Sequence, residues 1–158
     1  MNKQAASKTP FIGIKTHNLL TEICSWVLAL VFAYTASSKW IDWYGTQSAF
    51  YNQIFPNWTA EILMFSIPPL ELFLAISLLI PSTRKVAFAA SLVLMVIFTI
   101  YVGLIMTGIF GRIPCSCGGI ISALGWEEHL LMNILLVVIA TIGFLSIRKI
   151  HPARSDTE

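Results

Sequence analysis

Cys115 and Cys117 stand one residue apart in Ile113-Pro114-Cys115-Ser116-Cys117-Gly118-Gly119, shortly before Gly125-Trp126-Glu127-Glu128-His129. Disulfide exchange needs a thiolate, an accessible partner sulfur and something that depresses the thiol pKa. A Cys-x-Cys pair brings its Cα atoms within disulfide range when the backbone turns tightly, and Pro114 and Gly118-Gly119 favour such a turn. Arg112, three residues before Cys115, supplies positive charge nearby. His129, at the start of the next helix, can approach either sulfur and act as a base. Gly118 and Gly119 leave the backbone open to an incoming protein disulfide. With a single pair in this segment, the chain cannot relay electrons between two dithiols of its own. The onward acceptor is then another protein or a lipid-soluble quinone.

Other chemistry fits the same residues. The pair can be a static disulfide that staples its loop. Cys115, Cys117 and His129 are soft enough together for Cu(I), but no fourth ligand is evident, so no metal is assigned. His129 can also be a satisfied interfacial histidine.

The elements that must position these residues are apolar helices. Of the 158 residues, 56% are hydrophobic and 11% charged, against about 25% charged in soluble proteins. Apolar runs cover 23–38, 62–80, 86–109 and 130–147. Each is close to or above the ~17–25 residues that a spanning helix needs, the first once Leu19 and Leu20 are added. The expected fold is all-α: an integral membrane four-helix up-and-down bundle in the lipid bilayer. The first run is longer than the ~7–15 residues of a signal-peptide core and follows a polar leader, so it reads as a retained helix. A net charge of +2 gives no reason to expect a nucleic-acid partner.

Lysine and arginine placement sets the expected orientation. The leader, the second connection (Arg84, Lys85) and the tail hold eight of the ten; Lys39 and Arg112 fall in the other two connections. Both termini are therefore expected in the cytoplasm and the cysteine loop outside. In a bacterium that means a multi-pass inner-membrane protein with the pair in the periplasm, where dithiols can be oxidised. The expected organisation is a cytoplasmic arm over 1–17, a transmembrane domain over 18–148 and a cytoplasmic tail over 149–158. Its helices are expected near 18–38, 62–80, 86–109 and 128–147, with periplasmic loops at 39–61 and 110–127.

Several residues on this frame attract attention. Glu71 is the one formal charge inside the apolar runs, behind Pro68-Pro69, which remove two backbone donors and should kink the span. At mid-span it should be protonated, hydrogen-bonded to a neighbouring helix or facing a wet cavity, in any case inside the bundle. His129 and Asn133, four apart, share a helix face. Glu127 and Glu128 suit a helix N-terminus. Trp40, Trp43, Tyr44, Phe50, Tyr51, Phe55 and Trp58 read as an interfacial aromatic belt, or as a platform that receives a partner or a quinone head. Cys24, alone on the first helix, reads as packing.

Pro114-Cys115-Ser116-Cys117-Gly118-Gly119, Trp126, His129-Leu130 and Asn133 resemble the methylamine utilisation protein MauE family, within the wider DoxX-like group. Tyr34-x-x-x-x-Lys39, Pro69-Leu70-Glu71-Leu72 and Leu79-Ile80-Pro81 are also similar, so the likeness covers nearly the whole chain. It implies a four-helix inner-membrane protein associated with a periplasmic thioredoxin-like partner. In the family, MauE is needed to mature the disulfide-rich small subunit of methylamine dehydrogenase. Gly118-Gly119 stands where many relatives have Phe-Gly. What the resemblance carries here is redox association with Cys115, Cys117 and His129 at its centre and Arg112, Glu71, Asn133 and Trp126 in support, not the methylamine substrate. Oligomeric state and client are not legible at this level. The competing function is a non-enzymatic assembly factor or scaffold whose loop disulfide is structural.

Overall fold

A computed structural model describes residues 11–110 and 125–150, with side chains over 19–110 and 125–147. Its described residues form five helices and no strand: α1 (Phe11–Ile41), α2 (Trp43–Tyr51), α3 (Asn57–Leu79), α4 (Arg84–Met106) and α5 (Trp126–Ile150). Four of them hold segments long and apolar enough to cross a bilayer: Leu19–Ile41, Asn57–Leu79, Arg84–Met106 and Trp126–Ile147. Leu30, Phe73, Val93 and Leu131 are each more than half exposed. Apolar side chains on that scale are not left facing water, so these outward faces are lipid-facing.

The long helices alternate in direction. α1 packs most extensively on α3 and α5, and α4 on α5, whereas α3 and α4 meet more sparsely. Phe32, Leu28, Leu78, Phe88 and Ala140 form the centre of the core, and Cys24 packs into the same cluster at 7% exposure. Close approach depends on small residues, as it must where lipid is as apolar as leucine. A Cβ on Gly143 of α5 would lie 2.2 Å from the Phe88 ring of α4, so only glycine lets that buried ring sit against the helix backbone. The Ser25 hydroxyl donates to the Leu78 carbonyl, joining α1 to α3. At the same end, Arg84 meets Glu22 at 3.0 Å.

Helix ends follow local chemistry more than hydropathy. α1 continues to Ile41, past the 18–38 that the apolar run suggested, so Lys39 is helical and not in a loop. The aromatic segment after it folds as α2, whose N-cap Asp42 accepts from the Gly45 N–H at 3.0 Å. α3 starts at Asn57 because Pro56 supplies a fixed φ and an N-terminal stop. It then runs through Pro68 and Pro69 without a break. α4 ends where Gly108 takes a positive φ of 71°, which non-glycine residues rarely adopt. α5 starts at Trp126, with the Glu128 carboxylate reaching back to accept from the Gly125 N–H, half of a capping box. Outside the spans, the exposed Tyr51 hydroxyl donates to Glu61 at 3.1 Å. That bond, then desolvation and the carboxylate's charge, raise the phenol above its ordinary value.

Candidate functional site

Glu71 lies inside the bundle, 3% exposed, and it is not alone. The Lys39 ammonium donates to both of its carboxylate oxygens at 2.9 Å, with a longer contact of 3.4 Å to the Thr35 carbonyl. Lys39 stands in the last turn of α1 and Glu71 well inside α3. Their meeting follows from helix geometry. Side chains lean toward the N-terminus of their own helix, so on two antiparallel helices these two lean toward each other and close the axial gap. Expected in a periplasmic loop, Lys39 is instead a half-buried partner on the helix wall.

The pair lines a cavity of about 360 Å³ between the long helices. From α5, Trp126, His129 and Asn133 line the same space, the last being buried at 6% exposure. The four-residue spacing of His129 and Asn133 aims both inward. His129 is within electrostatic reach of Lys39. Its Nδ1 is buried and has no hydrogen-bond partner among the described residues. From α4, Tyr101 donates to Gln53 at 2.6 Å, and Gln53 donates onward to the Ala49 carbonyl at 2.9 Å. The Tyr101 ring stacks on Phe55, centroids 5.1 Å apart. A more open cleft of about 480 Å³ adjoins the cavity, because Gly125 and Trp126 line both; Met106 of α4 forms its other side.

Thus four of the seven residues singled out by sequence, Glu71, Trp126, His129 and Asn133, come together. Cys115, Cys117 and Arg112 lie outside the described residues. Lys39, Gln53 and Tyr101 were not singled out as site residues. For Lys39 a signal existed: one lysine on the first span and one carboxylate deep within the next, antiparallel to it. For Gln53 and Tyr101 there was none, since both read as ordinary interfacial polar residues.

Chemically, this arrangement offers a buried fixed ion pair, an imidazole with a free nitrogen, a phenol and stacked rings in an otherwise apolar space. Among the described residues no three His, Cys, Asp or Glu side chains converge as a metal would require. Among known proteins, neither the curated sequences nor the solved structures gave a significant match. The family model for the methylamine utilisation protein MauE matches residues 17–146, the whole bundle and the intervening cysteine segment. The chain is a multi-pass membrane protein that belongs to the methylamine utilisation protein MauE family.

Proposed function

We propose that this chain is a bacterial inner-membrane protein that exchanges disulfides or electrons with a periplasmic thioredoxin-like partner through Cys115 and Cys117, supporting maturation of periplasmic proteins. One observation carries this reading. The chain leaves α4 and rejoins α5 at the end of the bundle where the cavity holds Lys39, Glu71 and His129, and the connection between them bears both cysteines. In the exchange, a thiolate of one cysteine attacks a partner disulfide, forming a mixed disulfide and expelling the partner's other thiolate. The second cysteine then attacks the mixed bond, so the pair ends oxidised and the partner as a dithiol; the reverse direction uses the same steps. Arg112 and His129 favour the thiolate, as positive or basic neighbours do.

The mixed disulfide gives the test. With Cys117→Ser or Cys115→Ser the second step is blocked, so a partner adduct should accumulate and appear on a non-reducing gel. If neither single variant traps a partner and the double variant still supports maturation, the pair is a structural staple and the protein a scaffold.

The orientation is part of the same proposal. With Lys39 in the last turn of α1, Arg112 is the one lysine or arginine that the sequence puts in the two connections assigned to the periplasm, which sharpens the asymmetry of Lys and Arg. A membrane-impermeant thiol reagent applied to spheroplasts after mild reduction should label Cys115 and Cys117 and spare the buried Cys24. Protection of the loop pair in intact spheroplasts, with labelling only after lysis, would reverse the topology and remove the periplasmic partner with it.

A further inference from the structure

We propose that the cavity between α1, α3, α4 and α5 binds the headgroup of a quinone that arrives from the lipid. The choice of a quinone rests on the exchange reading above, which needs a two-electron acceptor; the site itself rests on geometry. A volume of about 360 Å³ is at the small end of ligand sites, enough for one substituted ring but not for an isoprenoid tail. The walls beside the polar groups are apolar: Leu63 and Ile67 of α3, and Met95 and Phe98 of α4. The stacked Phe55 and Tyr101 add flat surfaces for a ring.

Two features separate this space from a packing defect. A buried polar atom without a partner is rare in a native interior, and the Nδ1 of His129 is such an atom. That nitrogen is covered by the protein, so the imidazole turns as the ring enters and then donates its proton to one ring carbonyl oxygen. The second feature is where the space leads. Ile97 is 56% exposed on the outer face of α4 yet lines the cavity, beside the sparser α3–α4 contact. The cavity therefore reaches the lipid side of the bundle, where a tail can remain in the membrane while the ring sits inside. A water-soluble ligand has no use for such a path.

The electron balance closes with the cysteine pair. Two thiols lose two electrons and two protons as their S–S bond forms, and the quinone takes up two of each and leaves as the quinol.

Binding can be read apart from exchange. The oxidised full-length protein in detergent micelles is titrated with decylubiquinone while tryptophan fluorescence is followed; Trp126 lines the cavity. Saturable quenching is expected, with most of its amplitude lost in Trp126→Phe. His129→Ala and the cavity-filling Ile67→Phe should each raise the midpoint about tenfold, the scale of one hydrogen bond or one blocked ring position. Far-ultraviolet circular dichroism identifies which variants are folded. Non-saturating quenching, or equal midpoints in folded His129→Ala, Ile67→Phe and wild type, shows partition into the micelle only and overturns the site. Displacement by decanol at equal concentration shows an acyl-chain groove and overturns it as well. Since no electrons move in this titration, its failure leaves mixed-disulfide trapping intact. Failed trapping beside saturable, variant-sensitive quenching removes the exchange reading and keeps the binding site.

Discussion

Lys39→Met should destabilise the bundle by about 3–5 kcal/mol, the usual cost of removing one partner from a buried ion pair. The reason is the position of Glu71, whose side chain is 4% exposed and whose two oxygens both depend on the Lys39 ammonium. Without the cation, the carboxylate must ionise in a medium of low polarity or take up a proton and lose its strongest hydrogen bonds. Glu71→Leu exposes the same dependence from the other side, since it strands an ammonium. Glu71→Gln keeps an oxygen that can accept from Lys39 and should cost less than either. The double variant Lys39→Met with Glu71→Leu replaces the pair by apolar groups of similar size. It should recover most of the loss, because the desolvation cost disappears with the charges. Reversible unfolding in mixed micelles, followed by circular dichroism, measures wild type, Lys39→Met, Glu71→Leu and the double variant as a double-mutant cycle. A coupling energy near zero would mean that the two groups are solvated independently and that the pair does not organise the cavity.

Gly143→Leu carries the second large effect. The first added atom would stand 2.2 Å from Cε1 and 2.5 Å from Cζ of Phe88, a side chain with no exposed surface. Neither neighbour can yield by rotation alone, because the ring is enclosed by the core on its other sides. The helices must separate. Even Gly143→Ala should cost about 1–3 kcal/mol, the range for overpacking a well-filled interior, and leucine should cost more. Phe88→Leu should relieve part of the alanine penalty, by vacating the space that the methyl needs. The same unfolding assay reads both. If Gly143→Ala lies within about 0.5 kcal/mol of wild type, the range of neutral surface changes, α4 and α5 are not held at this distance by the glycine.

Much of this protein is written in its hydropathy. Four long apolar runs can only be satisfied as helices, because a bilayer offers no partner for an exposed peptide group. That logic determined the number of spans and their alternating direction, and the inward orientation of Glu71 followed from the cost of a carboxylate in lipid. The shared face of His129 and Asn133 followed as directly from the four-residue period. The boundaries did not follow, because hydropathy is blind to capping. Lys39 continues α1, Pro56 starts α3, and Glu128 closes the first turn of α5.

Only the tertiary structure decided which residues meet. Lys39 finds Glu71 across 32 positions of sequence because antiparallel side chains lean toward one another, an effect that depends on axial register. Register is set by interhelical contacts such as Ser25 with Leu78 and Arg84 with Glu22, which no single segment encodes. The cavity has the same origin. It is the space left where α3 and α4 approach less closely than their neighbours, with Tyr101, Gln53 and His129 turned into it from three different helices or their ends. A sequence specifies the polarity of each wall, but the volume between walls is a difference of packing distances, and those exist only once the bundle is assembled.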